Sequence, residues 1–164
     1  MRVVMDAEQM NAFLQKVFAE VAGEFHVEEV TETGVIMRLI VQDRHLRPGG
    51  TISGPAMFGL ADVAAYMVTL AHIGPRALAV TTNCSIDFMR KPAAGVDLIA
   101  HGRLLKLGKQ LSVSDVLIYS EGMQAPVARA SLTYAIPPAG VGLPDEGAEG
   151  AGLMGYNSTV IINI

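Results

Sequence analysis

Gly49-Gly50-Thr51-Ile52-Ser53-Gly54-Pro55 runs directly into a long apolar segment, Ala56 to Ile73, that carries one acid, Asp62. Proline has no N–H and a φ already set for a helix, so Pro55 belongs in a first helical turn, with Ser53 or Gly54 as the N-cap. Gly74-Pro75 ends the segment. Its residues are apolar all round rather than striped, which marks a helix enclosed by other structure. A membrane span is the competing reading, and Asp62 weighs against it, because a carboxylate at a bilayer centre costs about 2.5–3.5 kcal/mol on insertion scales. A buried acid must be matched by donors or kept for chemistry. The small residues Gly59, Ala61, Ala64 and Ala65 around it admit a close second backbone.

The elements on either side complete an α+β pattern. Asp6 and Gln9 form a capping-box sequence, and Met10, Phe13, Leu14, Val17, Phe18 and Val21 follow at helical spacing up to Gly23. Two β-rich runs, Phe25 to Thr31 and Val35 to Val41, flank a turn at Glu32-Thr33-Gly34. Beyond the central helix, Leu78, Val80, Cys84, Ile86 and Phe88 alternate with Ala79, Thr81, Asn83, Ser85 and Asp87, predicting a strand with one apolar and one polar face. Further strands are expected over Val96 to Leu107, Leu111 to Ser120 and Val127 to Ile136, joined by turns at Gly108-Lys109 and Glu121-Gly122. An antiparallel sheet wrapped around one buried helix satisfies both sets of apolar residues. Residues 1–136 form the expected domain. The tail, 137–164, holds three prolines and six glycines in 28 residues, a composition that builds no core of its own. Its last residues, Ser158 to Ile164, are strand-like.

Composition narrows the function. A net charge of −4 without a basic cluster argues against nucleic acid as a partner. The single Cys84 forms no internal disulfide and supports no cysteine metal site. His26, His45, His72 and His101 show no ligand spacing, and no GxSxG elbow occurs. Gly150-Ala151-Gly152-Leu153-Met154-Gly155 matches the dinucleotide fingerprint literally but lacks the strand and helix that fingerprint needs. The start, Met1 to Asp6, has no signal-like apolar region, so a cytoplasmic protein is expected. Hydrophobic residues make up 51% of the chain, which predicts a homo-oligomer that covers apolar surface.

The helix start and the acid together supply the parts for acyl hydrolysis. A helix N-terminus offers free N–H groups to an oxygen gaining negative charge, Gly54 can present its N–H with no side chain in the way, and Asp62 can activate water. The two lie about 12 Å apart along one helix at 1.5 Å per residue, too far for one thioester. Two antiparallel copies of the helix would bring Gly54 of one against Asp62 of the other, which predicts a dimer with shared sites.

From Phe25 to Ile136 the sequence resembles the hotdog-fold thioesterases, in particular the phenylacetate-pathway (PaaI-like) acyl-CoA thioesterases. Gly50-Thr51-Ile52-Ser53-Gly54-Pro55 stands at their Gly-Thr-x-His-Gly-Gly motif, Leu60-Ala61-Asp62 at their Leu-x-Asp, and Phe88-Met89-Arg90-Lys91-Pro92 at their aromatic-basic-Pro strand end. Ser53 replaces the family's His, Pro55 its second Gly, and Arg47 the Asn that often precedes the motif. The resemblance implies a hotdog fold and an acyl-CoA substrate, with no cofactor or metal and no membrane partner, in a homodimer or homotetramer. It implies Asp62 as base or nucleophile, Gly54 as the carbonyl-polarising N–H, and Thr81 in place of a serine that holds the water. Arg47, Ser53 and Pro55 would then lie along the substrate, and Arg90 and Lys91 would meet the CoA phosphates, ahead of Arg103, Lys106 and Lys109. The alternatives are a hotdog module that binds acyl-CoA without turnover and, third, a hotdog dehydratase or hydratase.

Overall fold

The computed structural model describes residues 1–139. Helix α1 (Ala7–Val17) is opened by the capping box: the Asp6 carboxylate accepts from the Gln9 N–H at 2.8 Å, and the Gln9 side chain accepts from the Asp6 N–H at 3.0 Å. The helical spacing runs on to Val21, but the helix ends at Val17, where Phe18 leaves the helical region and its N–H closes on the Leu14 carbonyl. Strands β1 (Phe25–Val30) and β2 (Gly34–Leu39) form the first hairpin, and α2 (Gly54–Ile73) follows. The sheet is then completed by β3 (Val80–Phe88), β4 (Leu98–Leu107), β5 (Leu111–Ser120) and β6 (Ala128–Ala135).

The six strands lie in the order β1-β2-β4-β5-β6-β3, every neighbouring pair antiparallel. Helix α2 packs on β2, β4, β5, β6 and β3, and every residue from Leu60 to His72 is buried. This is the expected sheet wrapped around one long helix. By length and composition α2 could cross a membrane. Its apolar surface is instead satisfied by the inner faces of the strands, with Met37, Leu98, Ala100, Ile118 and Leu132 fully buried beneath it.

Two glycines set how closely the layers approach. A Cβ on Gly102 of β4 would meet Val68 of α2 at 2.8 Å, so the bare backbone there lets helix and sheet touch. A Cβ on Gly34 would fall 2.0 Å from the Gly102 carbonyl oxygen. Gly34→Ala must therefore shift backbone, and overpacking of this kind costs about 1–3 kcal/mol. A melting temperature several degrees lower is expected by calorimetry, and an unchanged one would show that the hairpin gives way freely.

The sheet's two edges differ. β1 is bulged between Val27 and Glu29, and the Asn11 side chain of α1 takes both backbone groups of Val27, donating to its oxygen at 2.9 Å and accepting from its N–H at 2.8 Å. That edge is closed by its own chain. β3 pairs with β6 on one side and, among the described residues, with no strand on the other. Val80, Phe88 and Met89 are exposed along it. The simple alternation expected for this strand also fails, because a bulge between Thr81 and Asn83 inserts an extra residue. Thr81, expected on the polar face, therefore turns inward on the same side as Cys84.

The tail from 140 onward, including the Gly150–Gly155 fingerprint and Ser158 to Ile164, lies outside the described residues.

Candidate active site

The loop before α2 is built to present its side chains. Arg47 and Thr51 close a small hairpin, the Arg47 N–H donating to the Thr51 carbonyl at 2.9 Å, with Leu46 bridged to Ile52. Gly49 and Gly50 turn the chain at φ of 96° and 78°, a region that side chains disfavour. Below the hairpin, Ser53 is the N-cap: its Oγ accepts from the Ala56 N–H at 3.2 Å and its carbonyl from the Met57 N–H. Pro55 has no N–H to satisfy. Among the described residues, that leaves the Gly54 N–H in this first turn without an acceptor. The Phe88 ring lies over Gly54, so close that a Cβ there would be 3.3 Å from its edge.

Gly54 faces a groove of about 510 Å³ that it shares with Arg47, Thr51, Phe88, Arg90 and Lys91. Four of the residues singled out in the sequence, Arg47, Gly54, Arg90 and Lys91, thus come together on one surface. Arg90 is held there by donating to the Pro126 carbonyl at 2.6 Å. Ser53 and Pro55 do not join them. They line a second pocket of about 280 Å³ on the other side of the helix start, walled by Val21, Phe25, Leu39 and Val63. Its polar edge is Glu24, which accepts from Arg44 and from His45 Nε2 at 2.9 Å. The Gln42 N–H donates to His45 Nδ1 at 2.9 Å, so Nε2 is the nitrogen that carries the proton toward Glu24. Arg103 is paired with Asp115 on the outer sheet surface, away from both pockets.

Asp62 is fully buried, two turns further along α2. Its Oδ1 accepts from Thr81 Oγ1 at 2.5 Å and from the Tyr134 hydroxyl at 2.7 Å, and its Oδ2 has no partner among the described residues. Burial pushes its carboxyl above the ordinary range, while the two hydroxyl donors pull it back. Burial also holds the Tyr134 phenol well above its usual range, so it remains a donor. Cys84 is pushed up to about 11 by burial and by the nearby carboxylate, which keeps it a thiol at neutral pH. Tyr134 is the residue that sequence reasoning missed. A signal existed, since it is the one hydroxyl among the inward-facing Ala128, Ala130, Leu132 and Tyr134 of the last strand.

The arrangement supplies a free N–H for an oxygen and a one-sided carboxylate for a proton, each presented by α2. Among the described residues, no three His, Cys, Asp or Glu side chains gather as a metal site.

Comparison with known proteins follows the same lines. The profile of the thioesterase superfamily matches residues 49–127. A protein of Silicibacter sp. TM1040, provisionally designated a thioesterase, has a crystal structure that is 56% identical, with a TM-score of 0.79 over 84% of this chain and 96% of that one. The phenylacetic acid degradation protein PaaI of Thermus thermophilus is 24% identical over 77% of this chain and 99% of its own, with a TM-score of 0.61. A hypothetical thioesterase of Streptococcus pneumoniae, crystallised with coenzyme A, is 22% identical over 68% of this chain and 87% of its own, with a TM-score of 0.58. The last two likenesses bear on the fold alone, and the fold they share is the hotdog.

Proposed function

This chain belongs to the thioesterase superfamily, and from that premise we propose that it hydrolyses acyl-CoA thioesters at a site shared between two copies. The carrying observation is the Gly54 N–H, free at the mouth of the groove that also holds Arg47, Arg90 and Lys91. The thioester carbonyl oxygen accepts from that N–H and from the positive end of the α2 dipole, which stabilise the charge that forms as water attacks. Asp62 takes the proton of that water through Oδ2, the oxygen left open by Thr81 and Tyr134. Thr81 is thus a group that orients the base. The CoA thiolate leaves and takes up a proton, so acid and thiol are the products.

One chain cannot complete the site, because Gly54 and Asp62 are about 12 Å apart along α2. The open β3 edge, with Val80, Phe88 and Met89 exposed, supports pairing with a second copy. A two-fold axis there would set the two α2 helices side by side and give two equivalent sites.

Coenzyme A is the ligand of the Streptococcus pneumoniae relative, and the groove has the charge for its phosphates. Arg47, Arg90 and Lys91 give it a positive rim in a chain of net charge −4. Doubling the salt concentration is expected to raise KM for acyl-CoA while barely changing kcat, since screening weakens ground-state attraction. A salt-independent KM would move the phosphates elsewhere.

Thiol release from short, medium and aromatic acyl-CoAs tests the reading directly. The full burial of Asp62 favours a second reading, a module that binds acyl-CoA and keeps this carboxyl in its core as the acceptor of Thr81 and Tyr134. Tight binding by calorimetry with no turnover across the panel would select it.

A further inference from the structure

Among the described residues, two buried side-chain polar atoms have no hydrogen-bond partner, Thr51 Oγ1 and Asp62 Oδ2. Native structures leave few such atoms, because each gives up the bonds it made to water, and those that persist mark places where a ligand or an ordered water completes the bond. Asp62 Oδ2 has its part in the reaction above. Thr51 has none so far.

Its surroundings say what it is held for. The Thr51 carbonyl is tied to the Arg47 N–H at 2.9 Å, so the backbone is fixed by the hairpin and the side chain is free of any structural bond. Thr51 lines the same groove as Gly54, three residues before it. Ser53, the other hydroxyl of this stretch, is engaged as the helix cap and faces the opposite pocket. An oxyanion is stabilised best by two or more fixed donors, and the α2 start offers only the Gly54 N–H, because Pro55 has none and the Ala56 N–H is spent on Ser53.

Building on the thioesterase reading, we propose that Thr51 is a catalytic residue, whose Oγ1 donates a hydrogen bond to the thioester carbonyl oxygen beside the Gly54 N–H. The groove then polarises the carbonyl from two directions, and the hydroxyl finds its partner only when substrate is bound. No bond to Thr51 forms or breaks, and its proton stays on Oγ1.

The test compares Thr51→Val, which keeps the shape and removes the donor, with Thr51→Ser, which keeps the donor. Thr51→Val is expected to lower kcat/KM by about 10²-fold, and Thr51→Ser by less than about threefold. The melting temperature of Thr51→Val should equal or exceed that of the wild type, since a methyl replaces an unsatisfied hydroxyl. Two inert CoA analogues separate contact from packing: a ketone, with a methylene between sulfur and carbonyl, and a thioether without the carbonyl. Thr51→Val should weaken the ketone about tenfold and leave the thioether unchanged. Equal turnover and ketone affinity in Thr51→Val and wild type would overturn the proposal, as would equal weakening of both analogues. Selective loss of ketone affinity in a protein that turns nothing over would uphold Thr51 as a carbonyl contact and overturn the thioesterase reading instead. If the wild type binds neither analogue, both fall.

Discussion

Turnover of acyl-CoA by Asp62→Asn is expected to fall about 10²-fold or more, with the protein still folded, as loss of a general base costs about 10²–10⁴. Asn keeps an acceptor for Thr81 and Tyr134 at Oδ1 and removes the buried charge. Fold and activity should therefore part. The pH profile adds a second readout, because the base works only as the anion, and burial raises its carboxyl. The acid limb of kcat/KM should lie above the ordinary carboxylate range. Tyr134→Phe removes a donor that favours the anion, so it should move that limb further up. Stability runs the other way. With a folded pKa above the unfolded value, the native state holds the proton longer, so this group's contribution declines as pH rises through the folded pKa. Asp62→Asn escapes that loss, and its melting temperature should gain on the wild type between acid and neutral pH. Unchanged turnover in Asp62→Asn would remove the residue from the mechanism.

Much of this architecture can be read from local chemistry. A serine before Gly-Pro has few roles other than a helix cap, and Ser53 takes that role. A lone acid in an apolar run must be buried, and Asp62 is. The hairpin turn near Glu32-Thr33-Gly34 and the two later turns carry glycines that punctuate the strands plainly. What escaped depends on pairing between distant segments. The β3 bulge has no side-chain signature, yet it alone brings Thr81 and Cys84 to one face and so puts Thr81 on Asp62. Tyr134 reaches Asp62 from 72 residues away, because the β3–β6 register sets it opposite Thr81. Ser53 and Pro55 flank Gly54 in sequence but face a different pocket, since consecutive residues at a helix start point in different directions. The helical period past Val17 misled for a related reason. Val21 still serves an apolar contact, as a wall of the smaller pocket, from a turn rather than from the helix.

Mixing two dead variants should restore activity if each site is shared. Asp62→Ala lacks the base and Gly54→Pro lacks the N–H, so each homodimer has two broken sites. In a mixed dimer, the Gly54 of the first chain meets the Asp62 of the second, and that site is whole, while its twin carries both lesions. Random pairing makes half the dimers mixed, so about a quarter of all sites should be active after co-refolding equal amounts. Proline suits the first helical turn, where the N–H makes no helical bond. The half-exposed Phe88 ring must tilt by a few tenths of an ångström to admit it. Both variants therefore need matching melting curves and dimer masses before they are mixed. The open β3 edge is where the exchange would take place, and a charged residue at its exposed Val80, Val80→Lys, should dissociate the proposed dimer and abolish activity with Asp62 and Gly54 intact. A mixture that exchanges subunits and stays inactive would place both groups of the site within one chain, against the roughly 12 Å that α2 puts between them.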